Sequence, residues 1–84
     1  MEKSACNKLF GSYIKVLRKQ KKLSQLELSI RLGNNFQNIS SLERGEFSPS
    51  LHYLVKLANV FETTLTGLIT EFENYVKLQK SLPE

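Results

Sequence analysis

Cysteine and histidine, on which many metal and catalytic sites depend, occur only once each in this sequence. A lone Cys6 can form neither an intrachain disulfide nor a cysteine-based zinc site. His52 has no second histidine to complete a metal site or a catalytic pair. The chain also has no glycine-rich phosphate loop and no cluster of carboxylates. These absences argue against catalysis, so we expect a protein that is not an enzyme and needs neither metal nor cofactor.

Long apolar segments are absent as well. No run approaches the roughly 18 apolar residues that a membrane-spanning helix needs. The N-terminal stretch MEKSACNKLFGSY lacks the continuous apolar region of a secretory signal peptide. We therefore expect no membrane association and a location in the cytoplasm.

The composition is that of one small folded domain with a basic end. A chain of 84 residues fits a single domain with a modest core, and its hydrophobic content of 40% is too high for a typical disordered chain. Residues 1–22 carry seven Lys or Arg against one Glu, whereas residues 46–84 carry three against five. A basic end is typical of proteins with a polyanionic partner, but a solvated lysine face is as common.

Apolar residues recur at helical spacing along almost the whole chain, and strand signals are weak. Ser24 and Glu27 have the spacing of a capping box at a helix start, and Gly33 is suited to a left-handed helix end. We predict five helices with short connections: residues 7–21, residues 25–32, a third capped by Asn35 and ending at Gly45, a fourth capped by Ser50, and a long fifth that starts at Thr64.

The second and third predicted helices have the spacing of a helix-turn-helix. Ser29 is a small residue at which two helices can approach closely, and Gly33 follows four residues later to supply the turn. The apolar anchors Ile39 and Leu42 lie six and nine residues beyond that glycine. This order of small residue, glycine and apolar anchors predicts a helix-turn-helix over residues 25–44.

The stretch LSQLELSIRLGNNFQNISSLERGEFSPSL resembles, without a gap, the lambda-repressor and Cro-like family, also called the xenobiotic-response-element family. The resemblance covers roughly residues 8–69. It implies an all-α, five-helix, lambda-repressor-like DNA-binding domain that occupies residues 1–84, with a core over about residues 8–70 and a helical extension over residues 71–84. Three departures are an Asn34 after the turn glycine, the apolar pair Leu26 and Ile30 on a usually polar flank, and Glu62 where glycine is frequent.

In the family the third helix lies in the major groove with its N-terminal residues against base edges. The resemblance therefore implies base contacts from Phe36, Gln37, Asn38 and Ser41. Gln and Asn can pair with adenine and Phe can contact a thymine methyl, which favours A·T-rich elements. The alternative is that the asparagines and their neighbours are only turn and cap residues, and that Phe36 tucks back onto the domain.

The resemblance also implies contacts that position the protein on the DNA backbone without reading its sequence. The expected phosphate-contacting residues are Gln25, Asn35, Arg44, Ser48, Ser50, His52 and Lys19. Several of these have capping or solvation as an ordinary alternative role. A structural ion pair between Arg18 and Glu43 is expected to fix the third helix.

The fifth predicted helix continues beyond the residues that the core needs. We expect a homodimer interface built from Phe72, Tyr75, Val76 and Gln79, with Leu82 beside them, because a two-fold contact could bury these side chains. The alternative is that this tail folds back over Leu26 and Ile30 of its own chain.

The sequence thus predicts a sequence-specific transcriptional regulator that binds double-stranded DNA at a palindromic operator as a homodimer. Relatives of this size include phage repressors, restriction–modification controllers and antitoxins. The alternative is a protein-interaction module of the same fold, such as an antitoxin or anti-repressor, whose main partner is a protein.

Overall fold

Five α-helices joined by short connections form the computed structural model, which describes residues 1–33 and 35–81. The helices are α1 (Lys3–Gln20), α2 (Gln25–Leu32), α3 (Phe36–Glu43), α4 (Leu51–Val60) and α5 (Leu65–Ser81). The described residues include no strand. The predicted all-α, five-helix architecture is confirmed. Asn34 and Leu82 lie outside the described residues.

Local sequence signals set the starts of α2, α3 and α4 and the end of α2 as predicted, whereas α3 ends at Glu43, two residues before the predicted Gly45. The Ser24 hydroxyl accepts the Glu27 backbone N–H at 3.0 Å while the Glu27 carboxylate accepts the Ser24 backbone N–H at 2.9 Å, so the capping box is complete. Asn35 and Ser50 accept backbone N–H groups at the starts of α3 and α4. Gly33 ends α2 in the left-handed conformation, with φ of 70°. These hydrogen bonds satisfy N–H groups that a helix start leaves unpaired.

The start of α1 differs from the prediction, and Glu62 has an unusual backbone conformation. Helix α1 begins at Lys3, four residues before the predicted start, because its first turn carries no apolar repeat from which a helix could be recognised. Glu62, at the position where relatives often have glycine, adopts a φ of 58°. A non-glycine residue in this left-handed region costs about 1–2 kcal/mol.

The core forms where α1, α2 and α3 meet α4 and α5. Its fully buried side chains are Ile14, Leu28, Ile39, Leu42, Leu57, Leu68 and the small Ser29. Gly11 lets α1 approach the end of α3, since a Cβ atom there would clash with the backbone oxygen of Leu42. The predicted anchors of α3, Ile39 and Leu42, therefore seat that helix against both α1 and α2.

Helix α5 packs on α1 and α4. The ring of Phe72 meets Phe10 edge-on with centroids 5.2 Å apart, and Tyr75 lies 5.7 Å from Tyr13. Both rings therefore have aromatic partners within their own chain, and the subunit interface expected from them stays a prediction. The alternative that the tail folds back over Leu26 and Ile30 is wrong for its described part, residues 71–81. The Leu26 and Ile30 side chains remain 55% and 69% exposed, since α5 packs on α1 and α4 instead. No helix of the described chain is long and apolar enough to span a membrane.

Candidate nucleic-acid interface

The N-terminal end of α3 presents a row of polar side chains away from the core. Because Ile39 and Leu42 are buried beneath the helix, Gln37 and Asn38 are carried on its exposed side. Phe36 is 48% exposed, so it stands at the start of the helix without being buried in its own domain. Ser41 lies one turn further along and is half-buried.

Helix capping at this end is carried out by Asn35, whose side-chain oxygen accepts the Asn38 backbone N–H at 2.9 Å. Asn35 thereby has a structural role, and its amide nitrogen is not used in that bond. Gln37 and Asn38 are not needed as caps, and the exposed amides of these two residues remain available to a ligand. Each amide can donate and accept at once, which is the property required to recognise a base edge.

A buried polar junction fixes α3 from behind. The structure brings together Arg18 and Glu43, for which the sequence predicts an ion pair. Arg18 Nε lies 2.6 Å from Glu43 Oε2, Nη2 lies 3.1 Å from Oε1, and the two side chains are only 8% and 3% exposed. Arg18 Nη1 also donates to the Leu23 carbonyl at 2.8 Å. The guanidinium therefore joins α1, the α1–α2 connection and α3.

Gln25, expected at a phosphate, lies at the same junction. Its Nε2 donates to Glu43 Oε1 at 3.0 Å. An amide nitrogen carries two N–H groups, so one donor and the carbonyl oxygen remain for a second partner. Gln25 thus connects the first residue of α2 to the last residue of α3. No local sequence pattern indicates this connection, because the two residues are far apart in the chain.

At the other end of α3, Arg44 is held by its neighbours. Its Nε and Nη2 donate to Glu46 at 2.7 and 3.2 Å, and Nη1 contacts the Ser40 hydroxyl. This charged hydrogen bond lowers the pKa of Glu46 and raises the pKa of Arg44. Arg44 remains exposed, and three of its five N–H groups are used, which leaves two for a ligand.

The remaining residues expected at a phosphate fall into two groups. Ser48 donates to the Asn7 side-chain oxygen at 2.9 Å, and Ser50 accepts the Tyr53 backbone N–H as the cap of α4. His52 and Lys19 are exposed on α4 and α1. Ser48 and Ser50 therefore lie together in the loop after α3, near the N-terminal part of α1 that carries Asn7. Lys19 lies at the C-terminal end of α1.

Lys8 is a cation that the sequence analysis did not select. A Cβ atom at Gly45 would lie 2.7 Å from the Lys8 Cα, so this exposed lysine stands beside the residue that follows Arg44. No local pattern indicates this proximity, because it arises from α1 crossing the end of α3.

The exposed side of α3 carries amides, a hydroxyl and an aromatic ring, and the cations Arg44 and Lys8 lie near the end of the same helix. This set can recognise a polyanion that has hydrogen-bonding and methyl groups in a groove, which is the chemistry of a DNA major groove. No group of three or more metal-ligating side chains occurs within residues 1–33 and 35–81.

Comparison with known proteins gives an independent result. A family model described as "Helix-turn-helix" matches residues 14–68. An uncharacterized HTH-type transcriptional regulator, y4dJ of Sinorhizobium fredii, is 40% identical over 63 residues, which are 75% of this chain and 82% of that protein.

Two solved structures are also similar. The restriction-modification controller protein C.AhdI from Aeromonas hydrophila is 31% identical with a TM-score of 0.71, covering 76% of this chain and 97% of that chain. The clp gene regulator ClgR from Corynebacterium glutamicum has a TM-score of 0.79 over 90% of this chain and 81% of its own. Its 20% identity indicates a shared fold alone.

Proposed function

The chain belongs to the helix-turn-helix family of DNA-binding transcriptional regulators, and we propose that it binds a palindromic operator sequence-specifically as a homodimer. The observation that carries this proposal is the N-terminal end of α3. There Asn35 supplies the cap, and Gln37 and Asn38 stay exposed. We further propose that the protein acts in the cytoplasm, together with its DNA.

In this proposal α3 enters the major groove and its first turns read the bases. Gln37 and Asn38 pair with adenine through N6 and N7, the exposed edge of Phe36 contacts a thymine methyl, and Ser41 hydrogen bonds to a base edge. These pairings favour an operator with A·T-rich elements. The buried anchors of α3 support this role, because base readout requires a helix that is held in one orientation.

The phosphate contacts come from the residues around both ends of α3. Gln25 offers its free N–H at the start of α2, and Arg44 offers its two unused N–H groups. Asn35 adds a contact at the start of α3, the loop and the start of α4 add Ser48, Ser50 and His52, and α1 adds Lys19. Such contacts position the protein and carry no sequence information.

A homodimer accounts for the two-fold operator. Two recognition helices related by a two-fold axis reach half-sites about 34 Å apart, and the interface between the copies is isologous. We propose that α5 forms this interface, through the outward parts of Phe72, Tyr75, Val76 and Gln79. Light scattering after size exclusion tests the dimer, since a monomer at micromolar concentration would contradict it.

Selection from randomised double-stranded oligonucleotides tests the operator. We expect enrichment of a palindrome, and we expect Gln37→Ala or Ser41→Ala to weaken binding by about 1–3 kcal/mol and to relax the preference at particular base pairs. Asn59→Ala, which removes an exposed amide from α4, is the matched control and should leave affinity and motif unchanged. If Gln37→Ala keeps the same motif and affinity, α3 does not read the bases.

A protein-interaction module is the second candidate function. The exposure of Leu26 and Ile30 on α2 favours it, because neighbouring apolar side chains in water are typical of a surface that binds another protein. The likeness to the controller C.AhdI instead supports a regulator that acts at a promoter. The oligonucleotide selection separates the two functions: an absence of enrichment at low salt would favour the protein partner.

A further inference from the structure

The C-terminal half of α5 carries one acidic and two basic residues along one side of the helix. Phe72, Glu73, Val76, Lys77 and Lys80 line a shallow groove along the helix, which Met1 borders on the other side. We refer to these five α5 residues as the α5 groove face. Its charged side chains are exposed. The acidic residue lies toward the N-terminus of the helix and both basic residues lie toward the C-terminus.

The spacing of these charges gives the groove face self-complementarity. Glu73 and Lys80 are seven residues apart, which is about two helical turns, so they project from nearly the same side of α5. Val76 lies between them and is half-buried. A two-fold axis that crosses the helix between Val76 and Lys77 places Glu73 opposite the partner's Lys80. The same axis places Lys80 opposite the partner's Glu73.

We propose that a second copy of this chain docks antiparallel on the α5 groove face, with Glu73 paired to the partner's Lys80 on each side of Val76. This inference rests on the proposed homodimer and specifies its direction and register. It centres the contact on Phe72 and Val76 of the groove face, whereas Tyr75 lines the other groove of α5. Flanking charges of this kind set the orientation of paired helices. A parallel pair would place Glu73 beside the partner's Glu73 and Lys80 beside the partner's Lys80, and such contacts between like charges are unfavourable.

The second groove of α5 does not offer this complementarity. It lies between α1 and α5, where Val16 and Leu78 are 43% and 62% exposed. Its one charged residue is Glu71, and a two-fold copy would bring no cation to it from that groove. An ordinary role for the groove-face charges is solvation of α5, with Glu73 and Lys77 four residues apart as an intrahelical pair. That role predicts no dependence of the dimer on charge.

Charge reversal tests the pairing, with the dimer dissociation constant measured by sedimentation equilibrium at low salt. Glu73→Lys and Lys80→Glu each turn both intermolecular pairs repulsive, so each should raise the dissociation constant about tenfold or more. The double variant Glu73→Lys/Lys80→Glu should restore it. An equimolar mixture of the two single variants should form a heterodimer, because both of its pairs are again attractive. High salt should reduce these differences, since the Debye length falls to about 3 Å at 1 M.

Glu71→Lys is the matched control, because it makes the same charge change on the same helix but in the other groove. It should leave the dissociation constant unchanged. Thermal unfolding of each variant separates loss of pairing from loss of fold, and all three replaced side chains are exposed. Unchanged melting of the monomer domain with a weakened dimer supports the proposal.

Three results would overturn the proposal. The single variants could have the wild-type dissociation constant, as parallel pairing predicts, or the double variant could have one as high as the single variants. A dissociation constant that only Glu71→Lys raises would also overturn it. Oligonucleotide selection is read separately. A charge-dependent dimer that enriches no motif would support the antiparallel pairing and contradict the proposed function. An enriched palindrome together with a dimer that does not respond to charge reversal would support the proposed function and contradict the antiparallel pairing.

Discussion

Replacement of Arg18 by methionine removes the cation that neutralises Glu43. The carboxylate is 3% exposed and accepts two hydrogen bonds from Arg18 and one from Gln25. Without Arg18, the buried Glu43 carboxylate retains only the Gln25 amide as a side-chain partner. Loss of one partner from a buried ion pair costs about 3–5 kcal/mol. Since domains have roughly 0.05–0.15 kcal/mol of stability per residue, this cost is a large part of the total for 84 residues.

The double replacement Arg18→Met/Glu43→Leu should be milder than the two single ones together. Glu43→Gln leaves the guanidinium with the Leu23 carbonyl as its retained acceptor and an uncompensated charge, so it should also cost several kcal/mol. With both charges gone, no buried ion is left unpaired, and apolar replacement of buried ion pairs is often neutral or stabilising. A double-mutant cycle built from Arg18→Met, Glu43→Leu and their combination should therefore give a coupling energy of about 0.5–3 kcal/mol or more.

Thermal unfolding followed by circular dichroism measures these effects. For a domain of this length a loss of 1 kcal/mol lowers Tm by roughly 4–8 °C, so Arg18→Met should lower Tm by well over 10 °C. Lys19→Met, at an exposed neighbour on the same helix, is the matched control and should change Tm little. A Tm that neither Arg18→Met nor Glu43→Gln alters would show that the pair contributes no stability, and would refute the reasoning.

Three further predictions concern pH, backbone geometry and DNA affinity. The hydrogen bonds from Ser24 lower the pKa of Glu27. Glu27 therefore contributes stability above its unfolded pKa of about 4.3, and this contribution is lost as pH falls through the lower folded pKa. Below about pH 4 the urea midpoint of unfolding should therefore fall less in Glu27→Gln than in the wild type. Gly45→Ala meets both a φ of 73° and the Lys8 backbone, whereas Gly33→Ala meets a φ of 70° in open space, so unfolding should show a greater loss of stability at position 45. Lys19→Ala should weaken binding to all DNA sequences equally and reduce the slope of log affinity against log salt by about 1; a change confined to the selected operator would contradict a phosphate contact.

The helix ends and the helix-turn-helix could be predicted because their causes are local. Ser24, Asn35 and Ser50 lie within three residues of the N–H groups that they cap, and Gly33 needs only its own φ. Apolar spacing likewise identifies Ile39 as a buried anchor, since helical periodicity places a face without reference to the rest of the chain.

The errors and omissions arise where residues distant in sequence meet. Phe72 and Tyr75 each pack against an aromatic side chain of α1, and no local pattern indicates these contacts. Their aromatic partners, Phe10 and Tyr13, lie on a helix that is more than 50 residues earlier in the chain. The contact between Gln25 and Glu43 and the position of Lys8 beside Gly45 have the same origin. Periodicity identifies the buried side of each helix but does not identify which helix covers it.

Glu46 can affect DNA binding in two ways, because it orients the Arg44 guanidinium and also cancels its positive charge. Glu46 orients Arg44 through two hydrogen bonds, but its own exposed negative charge would face the DNA backbone. Glu46→Gln keeps an acceptor for Arg44 and removes that charge, so it should tighten binding to all DNA sequences and steepen the salt dependence, because more counterions are then released. Arg44→Ala should weaken binding to all sequences instead. Equilibrium binding to the selected operator and to random DNA, measured across a salt series, decides between the two roles of Glu46. If Glu46→Gln weakens binding as Arg44→Ala does, orientation of the guanidinium matters more than the repulsion. If it changes neither affinity nor slope, this loop does not lie at the phosphates.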